Sequence, residues 1–249
     1  MSVSFDDIAP TYDKELKESF DGFYQKDISI FAAYKVKIVA QECGRPVRTK
    51  MSMKPTRLLE FGCGTGRNSP FLSKWFPESH LFGCDISEKS LSVAENMNPA
   101  VRYDVIKSPD DLTGIYQEPF DCIFVSNVFH HIPFSEHQLW FDALSGLLSK
   151  DGSIFIFEHN PYNPFTKRVF KNSRIDKGAE MLTPEYCIQL LQKAGFNNIK
   201  RKYTLFFTWR NAFFECLERL LWWLPWGAQY YVWGQKNIGM TVTALPSDL

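Results

Sequence analysis

Three groups of residues in this chain have types and spacing suited to chemistry. The first is Glu60-Phe61-Gly62-Cys63-Gly64-Thr65-Gly66, which follows the short run Arg57-Leu58-Leu59, read as a strand, and precedes a helix predicted from Arg67. Glycine in a strand-to-helix turn lets a ligand approach bare backbone, because no Cβ stands in the way. The helix behind such a turn offers unpaired N–H groups. The second is Asp85, about 20 residues after the glycine turn and at the end of the run His80-Leu81-Phe82-Gly83-Cys84. That spacing suits a carboxylate that accepts hydrogen bonds from ribose hydroxyls. The third is imidazole. His130 and His131 follow an apolar run, and His159 follows another beside Glu158. An imidazole titrates near neutral pH and can take a proton from a hydroxyl.

Those residues need elements to hold them. Val101 to Ile106 reads as a third strand, carrying Asp104 and Val105. Phe120-Asp121-Cys122-Ile123-Phe124-Val125-Ser126 reads as a fourth, ending at Asn127. Its near-continuous apolar character suits a sheet buried on both faces. Ser149-Lys150-Asp151-Gly152-Ser153 reads as a turn into a fifth strand from Ile154 to Glu158. The sixth strand is predicted over Ile199 to Thr208 and the seventh over Ala228 to Lys236. Helices are predicted from Glu88 to Met97 behind the cap Ser87, and from Pro184 behind the cap Thr183 to Gly195. Alternating strands and helices imply a parallel sheet with helices on both faces. Ligands of such sheets sit at the carboxyl ends of the strands. Glu60, Asp85, Asp104, Asn127 and Glu158 all fall at or near predicted strand ends.

The glycine turn fits the dinucleotide fingerprint at Gly62 and Gly64, but Arg67 stands where its third glycine belongs. The pattern E-F-G-C-G-T-G instead resembles the first motif of class I S-adenosylmethionine-dependent methyltransferases. "F-D-x-I-x-x-x-x-V-x-H-H-I" around the fourth strand and "L-L-x-x-D-G" before the fifth are similar to that family too. So is the opening Phe5-Asp6-Asp7-Ile8-Ala9-Pro10-Thr11-Tyr12-Asp13, which resembles quinone-type members. The segment Glu158-His159-Asn160-Pro161-Tyr162-Asn163-Pro164 resembles "E-H-N-P-x-N-P" in bacterial members linked to glycan or lipid-linked substrates. The resemblance covers roughly residues 1–200.

The resemblance implies an α/β, Rossmann-like class I methyltransferase fold. Its seven-stranded, mostly parallel sheet has an antiparallel last strand and helices on both faces. It implies S-adenosylmethionine as cofactor, leaving as S-adenosylhomocysteine. Glu60, Gly62 and Gly64 would hold the methionine end, and Asp85 with Ile86 the ribose. Asp104 with Val105 would meet the adenine, Asn127 would lie beside the methyl group, and Tyr12 would face the sulfonium or the cofactor's carboxylate. His130, His131 or His159 would be the base, though neighbours on extended chain point opposite ways, so one of the first two at most would face the pocket. Glu158, Asn160, Tyr162, Lys167 and Arg168 would shape the acceptor site. Lys171, Arg174 and Lys177 extend that basic stretch toward an anionic acceptor, or form a solvated face. O-methylation of a small or lipid-linked acceptor is favoured.

Residues 1–50 read as an N-terminal helical cap, with a helix over Ile28 to Ala40. Residues 51–249 read as the catalytic domain, with an acceptor-site insertion near 160–180 and an aromatic helical insertion near 209–227. In the latter, Phe213, Leu217, Leu220, Leu221 and Leu224 share one helix face, and Glu215 and Glu218 lie on another. A helix packed on the sheet, a lid at a membrane surface and a homodimer contact all remain open for it.

Equal numbers of basic and acidic residues, 28 each, argue against a nucleic-acid partner. Six scattered cysteines without a C-x-x-C pair predict neither disulfides nor zinc, and suit a reducing cytoplasm. No signal peptide is evident at the N-terminus, so the expected place is the cytoplasm, extending to the inner membrane face. His130, His131 and His137 have no acid at ligand spacing, and no metal is expected. Two other readings stay open: a protein that binds the cofactor without turnover, and a nicotinamide-dependent oxidoreductase.

Overall fold

The structure, a computed structural model, describes residues 5–19, 28–44, 55–207 and 212–236. The chain opens with α1 (Phe5–Ile8), a 3-10 turn (Ala9–Thr11) and α2 (Tyr12–Ser19), followed by α3 (Ser29–Cys43). The sheet then builds through β1 (Arg57–Phe61), α4 (Ser69–Trp75), β2 (His80–Asp85), α5 (Glu88–Met97), β3 (Arg102–Val105) and α6 (Pro109–Ile115). After β4 (Phe120–Ser126), a 3-10 helix (Phe129–His131) leads to α7 (His137–Leu147), β5 (Leu148–His159) and α8 (Pro164–Asn172). The described fold ends with α9 (Pro184–Lys193), β6 (Asn198–Thr204), α10 (Ala212–Leu221) and β7 (Gln229–Gln235).

The seven strands lie in the order β3-β2-β1-β4-β5-β7-β6. The first five in that order run parallel, and β7 enters antiparallel between β5 and β6. The predicted sheet and its antiparallel last strand are thus both present. Alternating residues divide each central strand between two cores. Leu59, Ile123, Val125 and Ile156 face Trp140, Phe141 and Leu144 of α7 and Leu190 of α9. Leu58, Phe124, Phe155 and Phe157 face Val36 and Val39 of α3, Leu72 of α4 and Leu91 of α5. Burial on both sides is why β4 reads as an unbroken apolar run. Truncating a ring such as Phe124 to alanine would cost about 3–5 kcal/mol.

Some boundaries differ from the sequence reading. β5 starts at Leu148, so the segment read as a turn is extended chain, with a register shift against β4 between Phe120 and Cys122. β6 ends at Thr204, and Thr208, Trp209 and Arg210 lie outside the described residues, as does most of the loop expected at 44–55. The helix cap at Ser87 is present, its Oγ accepting from Ser90 N–H. So is the cap at Thr183.

α10 reverses the expected packing of an inserted helix. Its acids turn inward: Glu215 pairs with Lys37 at 2.7 Å, and Glu218 is buried. Glu218 accepts from the Tyr34 hydroxyl and, at 2.8 Å, from Phe206 N–H. Phe213 and Leu220 face out, at 69% and 65% exposed, while Phe214, Leu217 and Leu221 are half-buried. The usual rule that the apolar face seeks the core holds only in part here, because α3 offers Tyr34 and Lys37 to the inward acids. No helix among the described residues is long and apolar enough to cross a membrane.

Candidate active site

Backbone conformation makes the glycine turn. Gly62, Gly64 and Gly66 all take positive φ, at 68°, 53° and 72°. A Cβ on Gly62 would overlap Val128 Cγ2 and reach Cγ1 at 2.8 Å, whereas one on Gly64 would meet nothing within 4 Å. Gly62 therefore allows close contact with the segment after β4, and Gly64 lines open space. Gly64 N–H donates to Asp85 Oδ2 at 2.8 Å, and Ser87 N–H donates to Asp85 Oδ1 at 2.9 Å. β1 and β2 pair with Phe61 opposite Cys84, which sets this carboxylate beside the turn. Burial raises the Asp85 pKa, opposed by those N–H donors. Ile86, next to it, exposes a bare apolar side chain.

Glu60 is buried beneath the turn. Its Oε1 accepts from Asn68 Nδ2 at 2.6 Å, while Oε2 has no partner. Burial pushes its pKa up to about 8, against the hydrogen bond from Asn68. An unpaired buried carboxylate oxygen beside a bare-backbone turn fits a cationic ligand end such as a methionine ammonium. Nearby, α3 delivers Lys35, whose Nζ donates to Ser126 Oγ at 2.8 Å. Burial drives its pKa down to about 7, though Glu158 and Glu60 pull the other way. Lys35 escaped the sequence reading, yet it falls in step with Ala32, Val36 and Val39 on the buried stripe of α3, which is an unusual place for a cation.

The N-terminal helices close over this turn. Asp6 accepts from the Ser87 hydroxyl, and the Arg67 guanidinium lies 5.7 Å from the centre of the Tyr12 ring. Tyr12 is thereby held beside Arg67, just after the glycine turn. Asp104 sits at the end of β3 with its carboxylate bound by Arg102, on the sheet face toward Phe82. Its partly buried neighbour Val105 packs against the other core. Asn127 follows β4 in left-handed conformation, φ 57°, with Oδ1 accepting from Gln229 Nε2.

The imidazoles gather at the ends of β4 and β5. The segment read as extended is a 3-10 helix, so His130 and His131 do not point opposite ways: their ring centres are 4.1 Å apart, and both approach Asp176. His130 Nδ1 donates to Glu158 Oε2 at 2.6 Å, and its Nε2 lies 3.2 Å from Asp176 Oδ1. Burial alone would lower the His130 pKa, but the two carboxylates outweigh it and lift the ring to about 9. His130 is therefore a held cation and not a free base. Burial, then repulsion from His130, lowers His131 to about 3. Burial also lowers His159 to about 4, although Asp176 pulls it up. Among the described residues no hydrogen bond engages the His159 ring nitrogens, which stack near His130 and Phe170. His137 is fully buried and holds the turn through the Phe129 and Ile132 carbonyls.

Two expected acceptor residues turn out to be scaffold. Both Asn160 amide donors are spent on the carbonyls of Pro225 and Gly227, and its oxygen accepts from Tyr162 N–H. Glu158 is fully buried, held by the N–H groups of Val128 and Phe129 and by His130. Each lacks a free group for an acceptor and positions its neighbours instead. Tyr162 is exposed and donates to Glu185. Lys167, Arg168, Lys171, Arg174 and Lys177 are exposed, so the basic stretch is a solvated face, with Arg174 pairing with Glu15 of α2. Asp176, absent from the sequence reading, lies 46 positions after His130, and nothing in local spacing joins them.

A glycine turn paired with Asp85 on the neighbouring strand, beneath a helical cap, defines a class I methyltransferase fold. Residues 59–154 match the family model described as a methyltransferase domain. The fold is that of solved S-adenosylmethionine-dependent methyltransferases. A SAM-dependent methyltransferase from Archaeoglobus fulgidus superposes with TM-score 0.64 at 16% identity, covering 90% of this chain and 100% of that one. The plantazolicin methyltransferase BamL, solved with a substrate analogue and S-adenosylhomocysteine, gives TM-score 0.60 at 18% identity, covering 92% of each chain. Among curated proteins, a tRNA1(Val) (adenine(37)-N6)-methyltransferase of Vibrio cholerae is 34% identical over 62 residues, 22% of this chain. The match spans about a quarter (26%) of that relative's length.

Proposed function

We propose that this protein transfers the methyl group of S-adenosylmethionine to a hydroxyl of a small or lipid-linked acceptor. One observation carries the reading: Gly62 packs against Val128, so the cofactor turn abuts the segment that carries His130 and His131. Donor and proton-handling groups thus share one edge of the sheet. The cofactor supplies an activated methyl group on a sulfonium. Glu60, with an unpaired oxygen, and the bare backbone at Gly64 hold its methionine end, and Asp85 takes the ribose. The cap helices exclude water. Alignment of this kind recovers roughly 7–11 kcal/mol of a displacement barrier. His159, neutral and without a hydrogen-bond partner on its ring nitrogens among the described residues, accepts the hydroxyl proton.

The outward aromatic face of α10 supports a lipid-linked acceptor and contact with the inner membrane surface. Trp223 is 60% and Trp226 71% exposed just beyond it. Tryptophans of this kind settle at lipid headgroups. A homodimer through the same face is the competing arrangement.

The test is to incubate the protein with methyl-labelled cofactor and three separate fractions: total lipid, small metabolites and RNA. Label appearing in a base-stable ether or an ester of the first two, and lost in Glu60→Gln, supports the reading. Label in RNA overturns it. Cofactor binding without S-adenosylhomocysteine formation in any fraction would favour a silent binding protein.

A further inference from the structure

We propose that His130, His131 and Asp176 form a binding site for one divalent transition-metal ion of the zinc type. This goes beyond methyl transfer and does not depend on it. The three residues come from two separate segments, the 3-10 helix after β4 and the turn after α8. Their ligand atoms all lie within 4.8 Å of one another. Nε2 of His130 and Nε2 of His131 approach the same carboxylate oxygen, Asp176 Oδ1, at 3.2 and 3.5 Å. A tetrahedral zinc ion with bonds of about 2.0–2.1 Å sets its ligand atoms about 3.3 Å apart. The two distances to Asp176 Oδ1 match that spacing.

The surroundings match a metal centre as well. His130 Nδ1 is fixed by Glu158 Oε2 at 2.6 Å, and Glu158 Oε1 is fixed by the N–H groups of Val128 and Phe129 at 3.2 and 2.9 Å. With Nδ1–H held by a carboxylate, an arriving ion has only to displace the Nε2 proton to solvent to be ligated there, the arrangement that orients ligating histidines in general. A simple hydrogen-bonded cluster explains the geometry less well. Two imidazoles compete for one oxygen, and the His131 contact at 3.5 Å is too long for a good hydrogen bond.

The site also has an entry side. The His130 side chain is 1% exposed, but His131 and Asp176 keep 17% and 12%. Three protein ligands leave one position of a tetrahedral ion open to water or an acceptor oxygen, as in catalytic rather than structural zinc sites. An ion there would lower the pKa of a bound hydroxyl. It would also tie the 129–131 helix to the 173–180 segment.

Cobalt(II) is the probe, added to the chelator-stripped full chain and followed by visible absorption, with zinc(II) titrated in parallel by calorimetry. The expected result is one equivalent of cobalt with the intense visible bands of tetrahedral nitrogen and oxygen ligation, displaced by zinc. Asp176→Asn and His131→Ala, both at partly exposed positions, should each abolish it, with folding confirmed by circular dichroism. Glu158→Gln should weaken binding by about 10–100-fold. No binding tighter than millimolar overturns the proposal. So does a thiolate charge-transfer band, or binding unchanged in both ligand variants. Should one ligand variant fail to fold, the other still decides.

Discussion

Ser87 and Asp6 stand 81 positions apart, yet the Ser87 hydroxyl donates to the Asp6 carboxylate at 2.6 Å. Ser87 also caps α5, accepting from Ser90 N–H at 3.1 Å. One hydroxyl therefore joins the N-terminal cap to the strand end that carries Asp85. Because Asp6 is only half-buried, its removal should leave the fold intact but loosen the cap. Asp6→Ala is expected to raise the dissociation constant for S-adenosylhomocysteine several-fold in calorimetry, with an unchanged melting temperature. Equal affinity in the variant would mean that the cap contributes nothing to cofactor retention.

Two glycines of one turn should respond differently to alanine. At Gly62 a methyl group collides with Val128 on a backbone with φ 68°. Gly62→Ala is expected to cost about 1–3 kcal/mol of stability and to displace the histidine segment. At Gly64 nothing stands within 4 Å of the added carbon. Gly64→Ala should melt within a few degrees of the parent and still lose cofactor binding, since the methyl fills space the ligand needs. Chemical denaturation beside calorimetry separates the two outcomes. Normal cofactor affinity in Gly64→Ala would remove the turn from the site.

Glu60 and Lys35 make opposite contributions to pH dependence. Folded Glu60 keeps its proton up to about 8, whereas its unfolded value is 4.5, so its contribution to stability falls as pH rises between these values. Folded Lys35 loses its proton near 7 against 10.5 unfolded, so its contribution rises with pH across that window. Lys35→Met should therefore stabilise the ligand-free protein at pH 6 by on the order of 2–4 kcal/mol, the gain fading toward pH 10. A cationic cofactor favours ionised Glu60. Binding at pH 7 is expected to release most of one proton, seen as heat that varies with the ionisation enthalpy of the buffer. Affinity should climb with pH and level off above about 8, and Glu60→Gln should abolish both effects.

The sheet was far more legible in the sequence than the imidazole cluster. β2 and β4 were readable residue by residue, because strands buried on both faces are continuous apolar runs ended by polar residues. The glycine turn and Asp85 were readable because one loop and one strand end fix their spacing. Asp176 was not, since only the folding of the 173–180 turn over β4 brings it to His130. The paired direction of His130 and His131 was missed because a 3-10 turn follows β4 where extended chain was assumed. α10 misled for a different reason. Its apolar stripe is plain in the sequence, but the surface it meets is polar and lies on α3, and no local pattern records that.

His159 differs from its neighbours in having no hydrogen-bond partner on its ring nitrogens among the described residues. If it takes the acceptor proton, His159→Asn should lower kcat by about 10²–10⁴-fold. The dissociation constant for S-adenosylhomocysteine should stay the same, because the ring lies at the β5 end and not at the glycine turn. Single-turnover rates with saturating cofactor provide the measurement. A normal rate in His159→Asn would pass the role to His131, whose ring is likewise neutral at pH 7.

The outward face of α10 gives the remaining prediction. Phe213, Leu220, Trp223 and Trp226 are each at least 60% exposed, and the inward face is already satisfied by Lys37, Tyr34 and the Phe206 amide. Replacing Phe213, Trp223 and Trp226 together by serine should thus leave stability nearly unchanged, because no core contact is lost. The parent should float with vesicles of mixed zwitterionic and anionic lipid, and the triple variant should stay in the dense fraction. Sedimentation of both proteins without lipid separates the competing arrangement. A parent dimer that becomes a monomer in the variant, with no flotation of either, would assign the face to a second copy of the chain.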